Sequence, residues 1–351
     1  MFFYKEFFIK ALILEEYNKL VFTETEIPEI NDDEVLINVK ACGICGSDVH
    51  GIDGSTGRRI PPIIMGHEAS GIIVKIGKNV NGWKENDRVT FDSTIYCGKC
   101  DYCKNGKVNL CDNRRVLGVS CNEYKQGGAF AEYVAVPQHI LYKLPEGISF
   151  EEAAMIEAVS IALHAVKRTT INLDDTAVVI GSGMIGLLLI QCLQANGCKK
   201  IIAVDVDEKK LDMAKKMGAH IILNSTTANI KKEILKSNKN KLPDIAFDVV
   251  GLTASTKSAI DSLNKGGSLT IIGNFSPQID LPLQSIVTKE ISIFGSCASS
   301  GEYPECIEMI CQKKIDVNTL MSKIAPLSEG AVWFNKLYNK EPGLMKVILI
   351  P

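Results

Sequence analysis

Residues 176–205 constrain the fold more than any other stretch of this chain. Thr176-Ala-Val-Val-Ile180 is a short apolar run bounded by turn residues, Gly181-Ser182-Gly183-Met184-Ile185-Gly186 follows it, and an apolar helical run covers 184–194. A second strand-like run, 201–204, ends at Asp205. A short strand of unbroken apolar residues is buried on both faces, which suits a parallel sheet covered by helices. The alternation continues with a helix over 208–217 ended by Gly218, then strands over 245–250, 268–272 and 291–294. This order predicts an α/β domain with a doubly wound parallel sheet. After Gly295 the chain turns helical over 304–313 and ends in a strand at 346–350, which is expected to rejoin the first domain.

Upstream the pattern is different. Residues 34–40 alternate polar and apolar, 70–76 form a β-rich run closed by Gly77, and 87–91 and 130–136 read as further strands. The first part is therefore a β-rich domain with long loops. The change comes near Ile148, where Ser149-Phe150-Glu151-Glu152 is a capping-box start and a helix follows through 165. A chain of 351 residues with 46% hydrophobic content can bury two cores. The expected division is 1–158, completed by 297–351, and 159–296.

The glycine motif follows a strand, opens a helix, and has an acid at the end of the next strand. Glycines let the backbone approach a pyrophosphate at a helix N-terminus, and a carboxylate can bind ribose hydroxyls. Gly181, Gly183, Met184, Ile185, Gly186 and Asp205 are thus the candidate dinucleotide-binding residues, with Asp207 the alternative for the ribose contact. An acid at 205 would repel a 2′-phosphate, favouring NAD over NADP.

Cys97, Cys100, Cys103 and Cys111 place four thiols in one short loop. That spacing suits a closed, structural zinc site. Iron–sulfur runs of ferredoxin type have a different final spacing and usually a following proline, whereas Asp112 follows Cys111 here. Disulfides are the other reading. The clustering among twelve cysteines favours metal ligation in a reducing compartment. Upstream, Cys45 and His67-Glu68 offer too few nearby ligands to close a sphere. An incomplete zinc site is the kind that does chemistry: it can make a hydroxyl more acidic. Cys42 competes with Cys45 as the thiolate. Ser47 and His50 could relay the released proton, and Asp48 could fix the tautomer of His67.

With these residues in this order, the chain resembles the zinc-dependent medium-chain alcohol dehydrogenases over nearly its whole length. The motifs that carry the resemblance are Cys-Gly-Ile-Cys-Gly-Ser-Asp-Val-His at 42–50, Gly-His-Glu at 66–68, the cysteine lobe and the glycine fingerprint. The resemblance implies a GroES-like β-rich catalytic domain, a Rossmann NAD-binding domain, an active site in the cleft between them, and two zinc ions per chain. Within the family the chain looks closest to the sorbitol, threonine and galactitol-phosphate dehydrogenase branch. There the third protein ligand of the catalytic zinc is a glutamate on the helix leading into the cofactor domain. Ile156-Glu157-Ala158 occupies that place, so the implied ligands are Cys45, His67 and Glu157. Glu68 would then lie behind the metal or exchange onto it during turnover. The branch often has proline after this glutamate, and Ala158 departs from that pattern. A homodimer or homotetramer is implied as well.

The expected reaction is oxidation of a secondary alcohol of a polyol or sugar alcohol, possibly phosphorylated, to a ketone with NAD. L-Threonine oxidation is the nearer alternative; a zinc-free quinone reductase or a non-catalytic member is the remote one. Arg58-Arg59 could reach a substrate phosphate or belong to a solvated loop, and Arg114-Arg115 share that ambiguity. With 39 basic and 41 acidic residues, no charge excess argues for nucleic acid or an anionic membrane. The apolar start 1–9 carries Lys5 and Glu6 and no small-residue cleavage site, which argues against a signal peptide. No hydrophobic run is long enough to span a bilayer, so a cytoplasmic protein is expected.

Overall fold

The computed structural model describes residues 8–351, so most of the N-terminal aromatic run lies outside the described residues. The chain forms two compact units. One comprises the chain through Glu157 together with Tyr303–Cys311 and Val317–Pro351; the other comprises Ala158–Glu302 and Gln312–Asp316. Among the described residues no helix is long and apolar enough to cross a membrane.

The first unit is built on a seven-stranded sheet. Its path runs Leu141–Lys143, Arg88–Phe91, Glu68–Ile76, Glu34–Gly43, Lys346–Ile350, Met321–Pro326, with Tyr133–Pro137 also paired to Glu34–Gly43. The chain-terminal strand joins this sheet because it is apolar on both faces: Val347, Ile348 and Leu349 are fully buried. Val347 and Leu349 join a core with Leu12, Ile37, Phe91, Phe130 and Phe334. Register positions the chemistry. Gly43 lies opposite Glu68 in one pairing, and Ile348 lies opposite Gly43 in the next. Three strand ends therefore converge, and the loop after Gly43, the start of Glu68–Ile76 and the start of Lys346–Ile350 become neighbours.

The second unit carries six parallel strands: β1 (Thr176–Ile180), β2 (Lys200–Asp205), β3 (Ile221–Asn224), β4 (Ile245–Asp248), β5 (Ser268–Ile271) and β6 (Ser292–Gly295). Their order is β3-β2-β1-β4-β5-β6. The order reverses between β1 and β4, and a doubly wound sheet binds ligands at the carboxyl ends of the strands flanking such a point. Val178, Ile202, Ala246 and Leu269 form the core beneath the helices. Helix α1 (Met184–Ala195) packs directly on the end of β1, and only a glycine permits it: a Cβ at Gly186 would run into the carbonyl oxygen of Gly181.

Several elements differ from expectation, the strand Met321–Pro326 and the helix Gly330–Tyr338 among them. The helix expected from residue 149 through 165 is two helices, Phe150–Ala153 and Ile156–Lys167. The capping box at Ser149 and Glu152 is made reciprocally, but Met155 N donates to Glu152 O, a tighter turn that re-aims the chain. Glu157 thereby sits in the first turn of the second helix. The strand β3 was not anticipated, being only four residues long and half-buried throughout.

Candidate functional site

Four thiols meet in the loop around the short helix Asp101–Lys104. The Sγ atoms of Cys97, Cys100, Cys103 and Cys111 all lie within 4.8 Å of one another, and those of Cys100 and Cys103 are 3.5 Å apart. A tetrahedral zinc with Zn–S bonds of about 2.3 Å sets its sulfurs about 3.8 Å apart, so the set fits. Backbone amides already point inward: Cys97 N and Asn113 N donate to Cys111 Sγ, and Cys100 N donates to Cys97 Sγ. Such donors favour thiolates. Those of Lys99 and Cys100 hold the Cys97 thiol down at about 6, whereas burial, followed by contact with Cys100, pushes Cys103 up to about 12.

The second cluster forms where the strand ends converge. One ligand atom each from Cys45, His67 and Glu68 lies within 4.8 Å of the others, and His67 and Glu68 are buried. Cys42, the competing thiol, points elsewhere: it is fully buried and packs near Gly66, and burial pushes its pKa well up. Gly66 adopts φ +95°, and a Cβ there would press on Phe130 N at 2.8 Å, so only glycine turns His67 into the cluster.

The surroundings of the cluster are charged. Glu68 Oε2 accepts from Lys346 Nζ at 2.5 Å, both groups being almost fully buried, and Lys346 also donates to Ile44 O. A Cβ at residue 43 would lie 2.5 Å from Glu68 Oε2, so Gly43 makes room for the carboxylate. Asp48 Oδ2 stands 3.4 Å from His67 Nδ1. Burial opposes a charge on either, but His67 and Arg59 together hold Asp48 well below the carboxylate range, and Asp48 and Cys45 together hold His67 well above the imidazole range. Both facing atoms lack a hydrogen-bond partner despite burial. A metal on the second ring nitrogen fits that arrangement, since it fixes the proton on Nδ1, toward Asp48. Burial, then the Glu68 charge, pushes the Glu157 carboxyl up to about 7. Ser47 Oγ donates to Cys45 Sγ at 3.3 Å, and His50 is exposed at the C-terminus of the short helix Gly46–Val49.

Sequence reasoning did not single out two residues of this cluster. Lys346 appeared only as the opening residue of an apolar terminal strand, although a lysine leading into a doubly buried strand could have flagged a buried partner. Arg59 was weighed as an anion receptor or a solvated loop residue and is neither: it is buried and paired with Asp48. Arg58 is exposed and donates to Tyr124 OH at 3.4 Å. Arg114 donates to Asn109 O, and Arg115 is exposed.

In the second unit the glycine loop joins β1 to α1. Helix α1 has Gly183 as its N-cap and no side-chain cap, so its leading amides remain for a ligand. Ser182 Oγ is buried there without a partner. Asp205 closes β2; its Oδ2 accepts from Ser182 N at 2.6 Å and its Oδ1 from Val206 N and Asp207 N. A carboxylate has about four acceptor positions, so capacity remains for a ribose hydroxyl. Asp207, the alternative, caps the helix Glu208–Lys216 through Lys209 N and Lys210 N.

Two family models match the chain: the alcohol dehydrogenase GroES-like domain over residues 31–146 and the zinc-binding dehydrogenase over residues 185–312. Sorbitol dehydrogenase of Bacillus subtilis is 33% identical over 347 residues, covering 98% of this chain and 97% of that protein. D-Arabitol-phosphate dehydrogenase of Enterococcus avium is 33% identical over 326 residues, covering 92% and 91%. A protein described as a short-chain alcohol dehydrogenase from Escherichia coli CFT073, solved with the cofactor NADH, superposes with a TM-score of 0.91. It is 29% identical, with 98% of this chain and 100% of that one covered.

Proposed function

Because the chain belongs to the zinc-dependent medium-chain alcohol dehydrogenase family, we propose that it oxidises a secondary hydroxyl of a polyol or polyol phosphate to a ketone, with NAD as hydride acceptor. The observation that carries this reading is the cluster of half-buried Cys45 with buried His67 and Glu68 at the convergence of three strand ends, with carboxylates around it. Relatives at 33% identity that are named for sorbitol and arabitol phosphate support the substrate class.

Cys45, His67 and Glu157 would hold the catalytic zinc, with Glu68 the exchanging carboxylate, and Cys97, Cys100, Cys103 and Cys111 the structural one. When bound, the catalytic zinc supplies a Lewis acid that makes a substrate hydroxyl more acidic, and the nicotinamide supplies the hydride acceptor. The remaining work falls to the protein. Asp48 Oδ2, facing His67 Nδ1 at 3.4 Å, would draw the ring proton to Nδ1 and leave the other ring nitrogen basic. Lys346 neutralises Glu68, so that two further acids, Glu68 and Glu157, can stand near one cation-binding cluster without an uncompensated excess of negative charge. Ser47 adjoins Cys45 and would pass the released hydroxyl proton to His50, whose exposed ring hands it to water. Asp205 would bind the ribose hydroxyls and disfavour a 2′-phosphate.

Arg59 is committed to Asp48, which leaves the exposed Arg58 as the member of that pair that could meet a substrate phosphate. Thiol-based metal clusters suit a reducing compartment, which supports a cytoplasmic location. NADH formation by the zinc-loaded enzyme across free polyols, their phosphates and threonine tests the reading. Selective turnover of one polyol class is expected; turnover of threonine alone would replace the substrate class, and silence across the panel with NAD bound would overturn it.

A further inference from the structure

Arg59 belongs by sequence to a charged loop, yet it is only 4% exposed. Its backbone is pinned to the strand Val119–Ser120: Ile60 N donates to Ser120 O at 2.9 Å, and Ser120 N to Arg58 O at 3.3 Å. Its aliphatic stem passes over Gly51, where any Cβ would collide with Arg59 Cγ. Its head is shared among three acceptors. Nε and Nη2 both donate to Asp48 Oδ1, at 3.1 and 2.7 Å; Nη1 donates to Arg58 O at 2.9 Å; Nη2 also reaches Ser47 Oγ at 3.4 Å.

We propose that Arg59 is a positioning residue for the metal centre: by occupying one oxygen of Asp48 with two N–H groups, it aims the other oxygen at His67. The inference rests on the metal-dependent reading of Cys45 and His67. Asp48 has no exposure, and its side chain would otherwise rotate about its terminal bond. Two donors on Oδ1 leave Oδ2 as the oxygen that stands 3.4 Å from His67 Nδ1. Nη2 extends the same control to Ser47, which in turn touches Cys45. One guanidinium thus ties together the neighbours of both the imidazole and the thiolate. A lysine could supply the charge but not this fork, because its donors radiate from one nitrogen.

The test is zinc retention by the full-length holoenzyme against a graded chelator, for wild type, R59K, R59Q, D48N and the D48N/R59Q double variant. Loss of a partner that orients a metal-binding histidine weakens metal by about 10- to 100-fold. R59Q is expected to weaken one of the two zinc sites on that scale and leave the other unchanged, with R59K intermediate. The double variant is expected to be no weaker than D48N, since both residues act along one path. Should R59Q fail to fold, R59K decides alone, because it keeps the buried charge and loses only the fork. Wild-type zinc affinity in the arginine variants that fold, or losses that add in the double variant, would overturn the inference. Cys45→Ser run in parallel separates the two levels: if it keeps both zinc ions, the reading of the metal centre fails; if it loses one while the arginine variants keep wild-type affinity, only the role of Arg59 fails.

Discussion

Asp205 is proposed to bind the ribose hydroxyls and to turn away a 2′-phosphate with one carboxylate. Three backbone amides hold it at the end of β2, so its position does not depend on ligand. On the reading proposed above, this fixed negative charge faces the adenosine ribose of the cofactor. Asp205→Ala removes both the ribose acceptor and the repulsion of a 2′-phosphate. KM for NAD is expected to rise about tenfold or more, as for loss of a charged hydrogen bond of about 1.5–3 kcal/mol, while KM for NADP falls. An unchanged NAD-to-NADP ratio of kcat/KM would move the ribose contact elsewhere. Asp205 was legible in the sequence because the strand, glycine turn, helix and next strand fix its place by count. Arg59 was not: a pair of arginines in a loop gives no hint that one is buried and the other exposed, since the partner that decides it, Asp48, is eleven residues away with no periodic relation.

At the level of elements, the cysteine lobe has little apolar core. The helix Asp101–Lys104 has no buried residue, and its neighbour Val108–Leu110 buries only Asn109. Elements this short do not persist on hydrogen bonds alone, so the thiols and their metal must hold the lobe. Cys100→Ser is expected to lower zinc content by about one equivalent and to lower the melting temperature by several degrees. A wild-type melting curve with two zinc ions retained would reject a structural role for the lobe. The lobe was legible because its ligands are close in sequence. The helix break after Ala153 was harder to see, because no glycine or proline marks it; a local hydrogen bond from Met155 to Glu152 makes it.

Across the whole molecule, β6 ends the parallel sheet among the described residues. An open edge is a ready template for pairing. In the same unit Leu283 and Val287, one turn apart on the helix Leu283–Lys289, are each about two-thirds exposed, as is Phe275. We propose that these faces meet in a homodimer, alone or within a tetramer. Light scattering behind size exclusion should read a multiple of the 38.4 kDa chain, and Leu283→Glu should shift it toward that value; a wild-type monomer would overturn the assembly. What the sequence alone determined about this protein is whatever depends on neighbours along the chain: the alternating strands and helices, the glycine turn with its acid, the four-thiol loop, the capping box at Ser149. What the tertiary structure alone decided is which distant charges meet. Lys346 reaches Glu68 across 278 residues because antiparallel register brings three strand ends together, and Arg59 holds Asp48 from a loop that pairs with Ser120. Local propensity acts over a few residues, whereas a buried charge must find its partner wherever burial of the core delivers one.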